Sequence, residues 1–153
     1  MKKIASFTVN HDKLTPGIYI SRVDGDCVTY DIRMKTPNMG DYLLPAEAHT
    51  IELLFATYAR SSKLADSVIY VGPMGCRTGF YLILRDVVTT EQAIELCREV
   101  FDFIKNYEGE IPGAKRIECG NYLDHNLLAA KKSAKEMSKI IQNWTDKMCV
   151  YPE

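Results

Sequence analysis

Apolar and polar side chains alternate along residues 27–34. Val28, Tyr30, Ile32 and Met34 fall on one side, and Cys27, Thr29, Asp31 and Arg33 on the other. That period of two predicts a strand with one apolar face. Residues 17–25 read as a preceding strand that ends at Asp24-Gly25, so the two form a hairpin, closed off by Pro37-Asn-Met-Gly40. The period then lengthens. Ile51, Leu54, Phe55 and Tyr58 share a face at helical spacing and predict a helix over residues 45–61. Pro45 suits its first turn, where a missing N–H costs nothing. Residues 67–71 and 80–84 read as short strands joined by a glycine-punctuated turn over 72–79. Thr89 and Gln92 fit a capping box opening a second helix. Ile94, Cys97, Phe101 and Ile104 line its buried side, and Gly109 follows its end. A last helix is predicted over residues 121–147. Strands come early, one hairpin joins them, and helices lie between and after. The pattern predicts an α+β fold, a mainly antiparallel sheet covered by helices, in one domain spanning 1–153.

Composition narrows the partners. The net charge of -1 over 153 residues gives no general electrostatic handle on nucleic acid or anionic membranes. No apolar run approaches the roughly 20 residues of a membrane helix. The N-terminus starts basic but turns polar too soon for a secretory signal, so a cytoplasmic protein is expected. The five cysteines, Cys27, Cys76, Cys97, Cys119 and Cys149, are odd in number and none forms a CxxC pair. Neither a disulfide framework nor a classical zinc finger is expected. Cys97 reads as core, Cys27 as either core or polar face, and Cys149 has no evident partner.

Three local patterns can carry chemistry. His49 and Glu52 sit three apart on the first helix, so an imidazole and a carboxylate converge on one face. Read alone, the pair is weak and reads first as a histidine hydrogen-bonded near a helix start. Cys76 lies between glycines in Gly75-Cys-Arg-Thr-Gly79, beside Arg77, whose guanidinium would favour a thiolate. Its alternative is a small buried residue in a tight turn. Cys119 precedes the last helix, where a helix N-terminus would stabilise a thiolate able to bind zinc or ferrous iron. As a lone cysteine it also fits a structural role.

Taken together, these segments resemble a known family. His49-Thr-Ile-Glu52, Gly72-Pro-Met-Gly-Cys-Arg-Thr-Gly-Phe-Tyr81 and Glu118-Cys-Gly-Asn-Tyr-Leu-Asp124 occur in the order found in S-ribosylhomocysteine lyases, the LuxS or autoinducer-2 synthase family. Ser6-Phe-Thr-Val-Asn-His11 and Asp31-Ile-Arg33 match as well, and the resemblance covers essentially the whole chain. It implies a cytoplasmic homodimer with active sites at the subunit interface. It implies cleavage of the thioether of S-ribosylhomocysteine to homocysteine and 4,5-dihydroxy-2,3-pentanedione, with Fe(II) as the metal and zinc or cobalt as substitutes. Carried over residue by residue, it makes His49 and Cys119 metal ligands, and Glu52 and Cys76 the acid–base pair. Ser6, His11 and Arg33 fall on substrate-binding positions, and Asp31 and Arg60 are placed likewise.

One position departs from the family's His-x-x-Glu-His motif. The second histidine, a metal ligand, is replaced by Leu53. Leucine offers no donor, so metal occupancy falls unless another group completes the site. Three readings follow: an impaired variant of the lyase, a relative that has lost catalysis and binds S-ribosylhomocysteine or a similar thio-sugar without metal, or a site completed by His125.

Overall fold

A computed structural model describes residues 1–153. Strands β1 (Gly17–Asp24) and β2 (Cys27–Arg33) form the expected hairpin, with Asp24 opposite Cys27 across a two-residue turn. β3 (Val68–Pro73) and β4 (Gly79–Arg85) form a second. β2 pairs with β4, so the order is β1-β2-β4-β3 and every pairing is antiparallel. Helices α1 (Pro45–Ser61), α2 (Thr90–Lys105) and α3 (Leu127–Ile141) complete the α+β fold.

The helices pack on the apolar face of the sheet. Ile18, Tyr30, Ile32, Phe80, Leu82 and Leu84 meet Ile51, Leu54 and Phe55 of α1 and Val100, Phe101 and Ile104 of α2 in one continuous core. Burial of such side chains contributes roughly 1.5–3 kcal/mol each. The predicted side of α2 is fully inside, and Thr89 accepts from the Gln92 N–H as its capping box requires. In α1 the Glu47 carboxylate accepts from the Leu44 N–H, and the same buried carboxyl takes a hydrogen bond from Ser133 of α3.

Two expectations are corrected. The last helix is shorter than predicted: it runs from Leu127 to Ile141 with Asn126 as its cap, accepting from the Ala129 N–H. Residues 115–126 form turns instead, and Ile141 is followed by a turn that sends Trp144 back to the sheet, its indole N–H donating to the Ile18 carbonyl. Cys149, without an evident partner in sequence, is buried in the core. No helix is long and apolar enough to cross a membrane.

Candidate functional site

The predicted residues gather in two places. The first joins α1 to the turns before α3. His49 Nε2 lies 3.5 Å from Cys119 Sγ, and the His125 ring stacks on that of His49 with centroids 4.1 Å apart. One donor atom from each of His49, Cys119 and His125 falls within 4.8 Å of the other two. Two soft-to-borderline nitrogens and a sulfur at this spacing suit zinc or a first-row divalent ion. The structure thus brings His125 to the donors, while Leu53 points toward Gly113.

The supports of this cluster fix its chemistry. His49 Nδ1 is 2.8 Å from the Asp124 carbonyl, which only accepts, so Nδ1 carries the proton. Nε2 is then the lone-pair nitrogen facing Cys119. The Asn121 N–H donates to Cys119 Sγ at 3.4 Å. This is a turn amide and not the helix dipole expected from sequence, since α3 begins eight residues past Cys119. Burial, then the neighbouring His49, holds the His125 pKa below the ordinary value and keeps the ring neutral, as a ligand must be. Glu52 lies one turn after His49, half-buried, with no hydrogen bond or ion pair from its carboxylate.

The second place is a cavity of about 300 Å³ lined by Ser6, His11, Arg33, Cys76, Tyr81 and Tyr151, among others. β2 delivers Arg33, the β3–β4 turn delivers Cys76, and the N-terminal segment delivers Ser6 and His11. Cys76 is exposed. Gly79 lets the turn close: a side chain there would strike the Ile32 carbonyl of the neighbouring strand. The glycine serves strand-to-strand approach, and the left-handed residue of the turn is Arg77, with φ of 61°. Arg77 turns away, its guanidinium 5.8 Å from the Tyr42 ring centre. The cation beside the Cys76 sulfur is Arg33, whose Nη1 lies 4.0 Å away and donates to Thr78 Oγ1 at 2.6 Å. Thr78 Oγ1 in turn sits 3.1 Å from the sulfur.

Arg33 itself is 3% exposed and pairs with Asp31, 1% exposed, at 2.5 Å. The polar side of β2 is therefore covered, against the pattern of a solvated strand face. Tyr151, stacked on Tyr19, reaches back from the C-terminus and donates to Asp31 at 2.7 Å. Burial would lower the Arg33 pKa, but the Asp31 carboxylate raises it beyond its usual value. Burial, reinforced by Asp31, pushes the Tyr151 phenol far up and keeps it a donor. Arg33 Nε and Asp31 Oδ1 remain buried without partners, a cost of about 1–3 kcal/mol each. Such unpaired polarity concentrates where function needs it.

Not every predicted residue joins these groups. Arg60 binds the Val68 and Ile69 carbonyls at 3.2 and 3.0 Å, tying α1 to β3 outside the cavity. None of His49, Glu52, Cys119 and His125 lines the Cys76 cavity. Thr50, Thr78 and Tyr151 were not anticipated from sequence. Tyr151 has no periodic or motif context, and only the folded tail reveals it.

Comparison with known proteins places the whole chain in one family. Residues 4–148 match the sequence profile of S-Ribosylhomocysteinase (LuxS). The chain is 49% identical to the S-ribosylhomocysteine lyase of Clostridium acetobutylicum, with both chains covered in full. It is 51% identical to that of Clostridium beijerinckii over 99% of each chain, and 50% identical to that of Finegoldia magna over the full length of both. With the Cys76 turn, the His49 helix and the Cys119 loop all in place, the chain belongs to the S-ribosylhomocysteinase (LuxS) family.

Proposed function

We propose that this protein is a metal-dependent carbon–sulfur lyase that cleaves S-ribosylhomocysteine to homocysteine and 4,5-dihydroxy-2,3-pentanedione, the precursor of a quorum-sensing signal. The observation that carries the reading is the convergence of His49, Cys119 and His125 in a chain of this family. Three donor atoms within 4.8 Å of one another also favour a metal site over a metal-free binding protein.

His49 and Cys119 hold the metal, Fe(II) in this reading with zinc or cobalt as substitutes. The bound ion supplies Lewis acidity toward the sugar oxygens. The protein residues handle the protons. The carbonyl moves from C1 to C2 and then to C3, and each shift takes a proton from the carbon beside it and returns one to the neighbour. Cys76 and Glu52 carry these protons. Glu52 has no competing partner, and Arg33 places positive charge beside the Cys76 sulfur. With the carbonyl at C3, a proton leaves C4, a C4–C5 double bond forms and the C5–S bond breaks, homocysteine leaving as a thiolate that takes up a proton. The C4 enol left behind takes a proton at C5 and becomes the dione. Arg33, Ser6 and His11 orient the hydroxyls, and Asp31 with Tyr151 holds Arg33 in place. Arg60 ties α1 to β3 within the chain.

The working unit in this reading is a homodimer in which the metal half of one chain faces the thiol half of its partner. The separation of the two groups within one chain supports it. So do exposed apolar residues beside each: Phe7 next to Ser6, and Ile117, Leu123 and Leu128 flanking Cys119 and His125. Five unpaired thiols fit a cytoplasmic, reducing setting.

The test is anaerobic release of thiol from S-ribosylhomocysteine by the Fe(II)-loaded protein. Release of one homocysteine per substrate, abolished by stripping the metal, is expected. No release from protein carrying one metal per chain overturns the proposal.

A further inference from the structure

We infer that His125 is this chain's third metal ligand, replacing the histidine that Leu53 displaces, with Thr50 as the residue that positions it. The inference rests on the metal-dependent reading above and names the donor that completes it.

The hydrogen-bond accounting around Thr50 is what assigns the role. A hydroxyl has one proton and two lone pairs. The Thr50 proton goes to the Ala46 carbonyl at 2.9 Å, one turn back on α1. One lone pair accepts the Asn126 N–H at 3.0 Å. The other faces His125 Nδ1 at 3.1 Å. With its proton committed, Thr50 can only accept there, so His125 Nδ1 carries the hydrogen. His125 Nε2 must then be the lone-pair nitrogen. It is buried, and it has no hydrogen-bond partner in the protein. His49 reaches the same state by the same logic, through the Asp124 carbonyl. Two imidazoles are therefore locked in the tautomer that leaves the lone pair on Nε2, and a donor atom of each ring lies within 4.8 Å of the other and of Cys119 Sγ. A buried imidazole nitrogen without a partner is costly, and an ion shared with His49 and Cys119 satisfies it.

The ligand has thus moved from the helix to the loop. Position 53 lies four after His49 on α1, whereas Cys119 and His125 both belong to the segment before α3. Leu53 instead packs toward Gly113. The chain need not be a disabled form, because the donor count is preserved by a residue 72 positions away from the lost one.

The test is Co(II) titration of the metal-free full-length protein, read by sulfur-to-cobalt charge transfer, tetrahedral ligand-field absorption and thermal melting. The natural sequence is expected to bind one Co(II) per chain and to melt higher when loaded. His125→Ala should weaken binding by more than about 100-fold, beyond the loss typical of a supporting residue. Adding Leu53→His to His125→Ala should restore both affinity and spectrum. Thr50→Val, which keeps all three donors, should cost about tenfold. Should His125→Ala fail to fold, His125→Asn keeps an N–H toward Thr50 while lacking the ring Nε2, and the same loss is expected. Unchanged Co(II) affinity and spectrum in His125→Ala or His125→Asn overturns the inference, as does a natural sequence that binds no Co(II). If His125 proves a ligand and no thiol is released, the lyase reading fails and the ligand assignment stands. If thiol is released and His125→Ala keeps its metal, the reverse holds.

Discussion

Around His49, Cys119 and His125 the supporting contacts are neutral. A backbone carbonyl, a threonine hydroxyl and a turn amide fix two tautomers and one sulfur. Around Cys76 they are ionic and buried. Asp31 and Arg33 pair out of water, a tyrosine from the C-terminus adds a second hydrogen bond to the same carboxylate oxygen, and two polar atoms, Asp31 Oδ1 and Arg33 Nε, stay unpaired. A metal site gains from neutral imidazoles and needs its charge to come from the ion and the thiolate. A site that moves protons on a polyhydroxy sugar gains from a fixed cation and accepts the desolvation cost. The two halves are therefore expected to fail differently.

The largest effect should come from Cys76→Ala. Loss of an acid–base group lowers turnover by about 10²- to 10⁴-fold. Metal content should be unchanged, because Cys76 lies outside the donor cluster. Metal loss in that variant, measured by elemental analysis, would erase the division between the halves. Arg33→Met comes next. It strands the Asp31 carboxylate in the interior and should cost about 3–5 kcal/mol in urea unfolding. Asp31→Asn combined with Arg33→Met should lose clearly less, which separates a stranded charge from lost packing. Tyr151→Phe removes one hydrogen bond to the same carboxylate and should cost about 1.5–3 kcal/mol. Its Co(II) affinity should match the natural sequence. Thr89→Ala, at the α2 cap and remote from both halves, should cost about 1 kcal/mol and alter neither turnover nor metal binding.

The same comparison shows what could be read before folding. The hairpin, α1 and α2 were legible because their periods of two and 3.6 match one buried face each, and Ile94, Cys97, Phe101 and Ile104 are inside as their spacing requires. The last helix was overextended. Residues 121–126 carry polar and turn-forming side chains but no breaking proline, and the Asn126 cap is indistinct among them. The metal half was half legible. His49, Glu52 and Cys119 follow from motifs and His125 could be named only as one candidate among three readings, because the Thr50 hydroxyl that orients it lies 75 positions away and no spacing encodes that contact. The thiol half was misread in its electrostatics. Arg77 adjoins Cys76 in sequence, but its left-handed backbone turns the guanidinium toward Tyr42. Arg33, 43 positions away, takes its place through the β2–β4 pairing that sets Arg33 opposite Gly79.

The central claim, one catalytic site built from two unlike halves on two chains, is tested most directly by mixing inactive partners. Cys76→Ala keeps the metal half, and Glu52→Gln keeps the thiol half. Each alone should release almost no homocysteine from S-ribosylhomocysteine. Co-expressed, they should recover about a quarter of the natural activity, since half of the two-fold dimers are mixed and one of the two sites in each is intact. A mixture that forms mixed dimers, carries its metal and stays inactive would contradict the account.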